Sequence, residues 1–380
     1  MRKKGFREFA LALLLLLLPQ LCGCASLTGQ RREVEQLRII QTVGVDYAPG
    51  GVRLTLAAAA GPEGESPGAG LSGTGRTLSA AMEQIRESSV EEELFLGHVR
   101  AILVGQEAAE HGLDDLLAAI SRSADLRLDI PLYLVRGGTA EELMNGTAGE
   151  KLGITEILQA ARLREERRRG EKRSTADAVE RSLIRSGSAL VTALRFGDAA
   201  EAGEKSAVPA GFGVLQDGKL CAWIEPEDAV GAELLCGGTA SRELSVLDLG
   251  GLPVSLELER GESAVAPIWN TDGSLRGLDV TAKVRACVLE TAAGSADGLA
   301  RYDDYLTGQL EAAVSERIGR VLQLARQQEL DLAGLGGRLA RADPKRYSVS
   351  DQQLGALLPS LEIRIAVQGE LTHSYDAKDV

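Results

Sequence analysis

The sequence is poor in aromatic residues and in cysteine. Aromatic side chains make up 3% of the 380 residues, too few to predict a stacking platform for sugars or nucleic acid bases. Beyond the N-terminal region the chain has three cysteines and no CxxC pair: Cys221, Cys236 and Cys287. An odd number without paired spacing predicts neither a disulfide framework nor a zinc site. The sequence leaves open whether any two of them pair.

Recognisable catalytic motifs are missing as well. The sequence has no GxSxG nucleophile elbow, no Walker A loop and no HExxH pattern. Its three histidines are widely separated: His98, His111 and His373. Gly68, Gly70 and Gly73 match GxGxxG, but no strand directly precedes them, so we interpret the match as loop composition. We therefore predict a protein without catalytic activity, cofactor or bound metal.

Negative charge dominates the chain. It carries 55 acidic and 42 basic side chains, a net charge of −13. The first 23 residues hold four of the bases and one of the acids, so their removal would make the remaining body more acidic still. An acidic body repels phosphate backbones. DNA and RNA are therefore excluded as partners.

The N-terminus has the pattern of an export signal. Basic residues precede an apolar run, Phe9–Leu18, which at about half of the roughly 20 residues of a membrane span has the length of a signal-peptide core. Leu21-Cys22-Gly23-Cys24 then resembles a bacterial lipobox. We predict a lipoprotein signal peptide over residues 1–23, a diacylglyceryl group on Cys24 that holds the chain in membrane lipid, and a tether over residues 24–36. The alternative is an ordinary secretory signal cleaved nearby, with both cysteines incidental.

Residues 37–150 are predicted to form an N-terminal mixed α/β domain. Arg38–Asp46 and Val52–Ala60 predict a β-hairpin around a Pro-Gly-Gly turn, and the Gly-rich stretch Gly61–Gly75 predicts a loop. Thr77 begins a helix, and Thr139 with Glu142 fits a capping box at the start of another. The elements between them are expected to be strand Leu94–Val104, helix Glu107–Arg122 and strand Leu126–Val135.

The rest of the chain is predicted to complete a three-domain α+β (mixed α/β) ectodomain with helices packed on mixed sheets. Residues 151–187 are dense in charge and are interpreted as solvated connecting helices. Residues 188–255 form a middle domain and residues 256–380 a C-terminal domain. The predicted strands are Ala189–Phe196, Gly211–Leu215, Leu220–Ile224, Val254–Glu259, Leu278–Glu290 and Leu361–Leu371. A long amphipathic helix is predicted over Tyr302–Leu332.

Several segments resemble one protein family. Ile39–Asp46 is an aliphatic strand that ends in Gly-Val-Asp, and Phe95–Gly105 contains a Gly-His pair before an aliphatic run. Gly211–Ile224 and Asp331–Gly336 are similar to a hairpin and to an Asp-x-x-Gly-x-Gly motif of the same family. In their order and spacing these segments resemble the Ger(x)C lipoproteins, the C-subunits of bacterial spore germinant receptors. Leu126–Asp129, which continues into Leu132–Val135, is similar to a further segment of the family. The motif residues are Gly44, Asp46, Gly97, His98, Asp129, Gly334 and Gly336. One departure is the absence of tryptophan between Asp331 and the last strand.

The resemblance implies a lipid-anchored, non-catalytic subunit of a nutrient receptor on the outer face of the spore inner membrane. It implies two integral-membrane partners, an A-type and a B-type receptor subunit, and a role in receptor assembly and signalling during germination. It further implies that Gly44 and Gly97 serve tight backbone packing, and Asp46 and His98 local hydrogen bonds. Two alternatives remain, a solute-binding lipoprotein of a transport system and an anchored hydrolase. The nutrient and the contact surfaces stay open.

Overall fold

The computed structural model describes residues 37–58, 70–89, 93–147, 153–167, 174–198, 205–291, 303–349 and 351–373. The predicted signal peptide, Cys24, the tether and residues 61–69 of the predicted loop lie outside these ranges. The described residues form two mixed sheets with helices packed on them, which confirms the predicted mixed α+β class.

The first sheet has nine strands. Four neighbouring strands, β1, β5, β6 and β7, run parallel at its centre, and antiparallel pairs extend both edges to give the order β3-β2-β1-β5-β6-β7-β8-β9, with β4 beside the start of β1. The strands are β1 (Leu37–Ala48), β2 (Gly51–Ala58), β3 (Leu71–Gly75), β4 (Glu93–Phe95), β5 (Ala101–Gly105), β6 (Leu132–Val135), β7 (Ser188–Asp198), β8 (Lys205–Gln216) and β9 (Lys219–Ile224).

Helices cover both faces of this sheet. They are α1 (Leu78–Ser88), α2 (Gln106–His111), α3 (Asp114–Arg122), α4 (Ala140–Gly146), α5 (Ile154–Arg167) and α6 (Ala176–Ser186). On β5, Ile102 packs with α1, α2, α3 and α6, whereas its neighbour Leu103 packs with α4 and α5 on the opposite face. Every residue of β5 and β6 is buried, as expected for parallel strands covered on two sides.

The second half of the chain forms a five-stranded sheet beneath a long helix. Its strands are β10 (Gly238–Thr239), β11 (Arg242–Leu247), β12 (Pro253–Trp269), β13 (Leu275–Thr291) and β14 (Glu362–His373), and its helices are α7 (Ala229–Leu235), α8 (Asp303–Gln328), α9 (Leu335–Ala342) and α10 (Asp351–Leu357). Strands β10 and β11 pair with β12, while β14 runs parallel to β13. The predicted stripe of α8 is buried from Leu306 to Ala325.

Three elements of the N-terminal half are shorter than the sequence pattern predicted. The single strand Leu94–Val104 is wrong, because β4 ends at Phe95 and β5 begins only at Ala101, so the chain pairs with two successive parts of β1. The single helix over Glu107–Arg122 is interrupted at Gly112, whose φ of +129° lies outside the helical region. Of the predicted strand Leu126–Val135, only β6 forms.

The prediction of a loop is also wrong at its C-terminal end, because Leu71–Gly75 forms strand β3, which pairs with β2. Helix α1 lies directly on it. A Cβ atom at Gly73 would lie 2.6 Å from Ile85 Cγ1 and 2.7 Å from the Ala81 carbonyl oxygen. The glycines of β3 are therefore explained by the close approach of α1 to the strand and not by the flexibility of a loop.

The charged segment of residues 151–187 packs on the first sheet. Ile154 and Leu158 of α5 and Val179 of α6 are buried, and the expected exposed i,i+4 pair joins Arg162 Nε to Glu166 Oε1 at 3.0 Å. Strands β7, β8 and β9 continue the same sheet. The three-domain division stays a prediction. Within the described ranges, no helix is both long and apolar enough to cross a bilayer.

The same substitution at two glycines should have opposite effects on stability. Gly73→Ala should lower the free energy of unfolding by about 1–3 kcal/mol, since the new methyl overlaps the α1 backbone. Gly308→Ala should raise it by up to about 1 kcal/mol, because Gly308 is an exposed position inside α8 with no atom near its Cβ position. Urea denaturation of both variants measures this. Equal effects at the two sites would contradict the packing role of Gly73.

Candidate functional site

Alternate residues of β1 face the layer formed by α4 and α5. The Thr42 hydroxyl lies 3.0 Å from the Thr155 hydroxyl of α5, and both side chains are buried. Two positions later, a Cβ atom on Gly44 would lie 2.8 Å from Met144 Sδ and 3.0 Å from Ala140 Cβ. Gly44 thus lets α4 approach β1 more closely than any other residue would allow.

Asp46 is the next residue on this face, and it caps α4. Its Oδ1 accepts a hydrogen bond from the Ala140 N–H at 2.7 Å, and its Oδ2 accepts one from the Glu141 N–H at 2.9 Å. A negative group is stabilised there by the positive end of the helix dipole. The predicted capping box is confirmed at the same end, with Thr139 Oγ1 accepting from the Glu142 N–H and Glu142 Oε2 from the Thr139 N–H.

The environment of Asp46 is buried and crowded. The residue is 2% exposed, and this burial raises the pKa of its carboxyl, an effect that the two N–H donors oppose and the nearby charges of Glu141 and Glu142 reinforce. A side chain at Gly105, the last residue of β5, would overlap the Asp46 carboxylate. Both carboxylate oxygens are therefore used to join β1 to α4, across 94 residues of sequence.

The other motif residues of the first half lie apart from Asp46. Gly97 and His98 are exposed in the connection between β4 and β5, and the His98 ring is 5.5 Å from that of Phe95. Asp129 Oδ1 lies 3.3 Å from Arg127 Nε before β6. These residues do not converge on one site.

A second buried aspartate caps a helix in the other half. Asp331 is 1% exposed, and its carboxylate accepts the Leu335 N–H at 2.6 Å and the Gly336 N–H at 2.8 Å at the start of α9. Gly334 precedes α9 in the left-handed conformation, with φ of +62°. Sequence reasoning found the Gly334–Gly336 motif but not that Asp331 serves as its cap.

This second cap also joins the two halves of the protein. The Ser188 hydroxyl of β7 donates to the Asp331 carbonyl oxygen at 2.7 Å, in a buried position. A Cβ atom on Gly334 would lie 2.6 Å from Arg185 Nη2 of α6. We call the contact of Ser188 and Arg185 with Asp331 and Gly334 the joint.

A cleft of about 110 Å³ lies between the first sheet and α7, with β10 beside it. Its charged side chains bond to partners within its own wall: Arg162 to Glu166, Arg242 to Glu233, and the Thr192 hydroxyl to Glu165 at 2.7 Å. The Tyr133 hydroxyl is buried without a hydrogen-bond partner, and burial raises its pKa. The cleft thus combines paired charges with a mainly apolar lining.

Metal and thiol chemistry find no support in the described part of the chain. No three His, Cys, Asp or Glu side chains there are placed to hold a metal ion. No disulfide joins Cys221, Cys236 and Cys287 to one another, and burial raises the pKa of the Cys221 thiol, which is opposite to what a reactive cysteine needs.

Two family models match the chain. One, described as the spore germination protein N-terminal domain, matches residues 30–192, and the other, described as spore germination B3/GerAC like, C-terminal, matches residues 210–375. No curated protein matches it. Among solved structures, the chain is similar to one titled "Crystal Structure of the GerBC protein", with 15% identity, a TM-score of 0.51, and coverage of 87% of this chain and 96% of that one.

Removal of the first cap should destabilise the fold. Asp46→Ala leaves the Ala140 and Glu141 N–H groups without their acceptor, so the free energy of unfolding should fall by about 2–3 kcal/mol. Asp198→Ala is the control, because that side chain is 82% exposed and pairs with Lys205 on the surface, where such pairs contribute little. Thermal or urea unfolding of the two variants measures the difference. Asp46→Ala unfolding like the control would contradict the cap.

Proposed function

The chain belongs to the Ger(x)C family of spore germination proteins, and we propose that it is the lipid-anchored C-subunit of a nutrient germinant receptor. The observation that carries the proposal is that the N-terminal and C-terminal family models follow one another over residues 30–192 and 210–375. The fold supports it, since the similarity to GerBC extends over 96% of that chain.

The proposed anchor is a diacylglyceryl group on Cys24. The support is the order of the N-terminal sequence, in which basic residues, a short apolar run and Leu21-Cys22-Gly23-Cys24 follow one another. Two acyl chains hold a protein firmly, whereas one holds it only reversibly. We infer that the body is held on the outer face of the spore inner membrane, beside an A-type and a B-type integral-membrane subunit.

We further infer a scaffold role without catalysis. Among the motif residues with an ionisable side chain, Asp46 is the buried one, and both of its carboxylate oxygens accept hydrogen bonds from backbone N–H groups of α4. Asp331 does the same for α9. The role that these contacts support is to hold the protein's own helices in place, which suits a subunit that positions its partners.

Loss of the anchor should abolish function in spores that carry a single receptor. Cys24→Ala should move the protein from the membrane to the soluble fraction and reduce the nutrient response as far as deletion of the gene does. Cys22→Ala is the matched control, since alanine is a usual residue at that position of a lipobox, and it should behave as wild type. Fractionation and germination assays measure both. A normal response in the Cys24→Ala and deletion strains would refute the proposal.

Co-purification distinguishes the receptor from the rival solute-binding lipoprotein. A tagged chain isolated from detergent-solubilised spore membranes should recover two multi-span subunits encoded beside it, which mass spectrometry would identify. A solute-binding lipoprotein would instead recover an ATPase-driven permease. That result would support the solute-binding lipoprotein and contradict the receptor proposal.

A further inference from the structure

Exposed leucines are concentrated at one end of the second sheet. Leu247, Leu249, Leu252 and Leu289 are between 45% and 59% exposed, and they make up four of the nine large apolar side chains that are exposed within the described ranges. Leu247 is the last residue of β11, and Leu249 and Leu252 belong to the connection between β11 and β12. Leu289 lies near the end of β13, where β13 pairs with the start of β12. We call these four residues the leucine tip.

The leucine tip is held in place by an ordered turn. Asp248 Oδ1 accepts hydrogen bonds from the Gly250 and Leu252 N–H groups, both at 2.8 Å. The Asp248 N–H donates to the Leu252 carbonyl at 2.9 Å, and Gly251 adopts the φ of +77° that the turn requires. Because the backbone is fixed, exposure of these leucines follows from the fold itself and requires no loop motion. Exposed apolar patches mark interaction sites.

The leucine tip lies at the end of the second half remote from the joint. Val288 of β13 pairs with His373 of β14 at this end, and the Gly369 N–H nearby donates to Glu311 in the first part of α8. Helix α8 runs from there for 26 residues, about 39 Å, and the chain reaches Asp331 of the joint just beyond its far end. The leucine tip is therefore free of the contacts that join the two halves.

The charge around the leucine tip defines the partner. Residues 243–259 contain four acidic and no basic side chains, and Glu290 follows Leu289. An acidic apolar surface is repelled by anionic lipid headgroups and is complementary to an apolar groove with a basic rim. The adjoining segments of the chain do not supply an excess of basic side chains, because residues 292–302 carry one acid and one base and residues 374–380 carry two acids and one base.

We propose that the leucine tip docks into an apolar groove rimmed by Lys or Arg on a membrane-embedded subunit of the receptor. This inference rests on the proposed function, because it names the surface by which the C-subunit meets its partner. Leucines that fill a groove are desolvated on binding, and the surrounding acidic side chains orient the approach.

Co-purification of surface variants tests the docking. Leu249→Ser/Leu252→Ser in the full lipidated chain should recover the membrane subunits at least about ten-fold less well than wild type. Leu128→Ser/Ile184→Ser is the matched control, since these side chains are 51% and 75% exposed in the first half, and it should recover them fully. Glu243→Lys/Glu290→Lys should also weaken recovery, because it places bases against a basic rim.

Each other result excludes a definite alternative. Full recovery by the leucine tip variant would overturn the docking surface and leave the proposed function standing, whereas a wild-type chain that recovers no membrane subunit would overturn both. A lowered thermal midpoint of the leucine tip variant would show that the chain itself covers these leucines. Binding of the Cys24→Ala chain to phosphatidylcholine–phosphatidylglycerol vesicles, lost in the leucine tip variant, would assign the surface to the bilayer and overturn the proposal.

Discussion

A buried aspartate that caps a short helix is the contact on which each half of this protein depends. Helices α4 and α9 have seven and eight residues, too few to be stable alone in water. Asp46 and Asp331 supply acceptors for their first N–H groups. A buried carboxylate is costly unless hydrogen-bonded, so the strand that carries Asp46 needs α4 as much as α4 needs Asp46. This mutual requirement explains why small residues surround the cap, since Gly44 and Gly105 leave the space for it.

Structure that is determined by neighbouring residues could be predicted from the sequence. The turn at Pro49, the capping box at Thr139 and the buried stripe of α8 each depend on side chains a few positions apart, and each is confirmed. The failures depend on distant contacts. Leu94–Val104 is apolar throughout, and only its pairing with two parts of β1 shows that it is broken. Strand β3 has the composition of a loop because α1, which follows it in the chain, packs so closely on it that larger side chains at its glycines would overlap the helix.

The candidate sites were predictable only in part for the same reason. Asp46 was identified from the family motif and Thr139 from the capping box. Nothing in either segment indicates that the Asp46 carboxylate accepts hydrogen bonds from α4, 94 residues later in the chain. No sequence motif or pattern indicated the leucine tip. Leu247 and Leu289 directly follow buried Val246 and Val288 in the chain, and the register of the sheet shows that they face outward. Exposure is a property of the assembled fold, which periodicity alone does not specify when strands end in turns.

The joint constrains how the two halves can move. Leu190, Val214 and Ile224 of the first sheet pack in the same core as α8, and beside this core the buried Ser188 hydroxyl bonds to the Asp331 carbonyl. Separation of the halves would expose that core to water and leave a buried acceptor unpaired, and both changes are costly. Movement of one half as a rigid unit against the other is therefore opposed at the end of α8 near Asp331. A displacement imposed at the opposite end of α8 would reach the first sheet through packed, hydrogen-bonded contacts, which suits the proposed scaffold role.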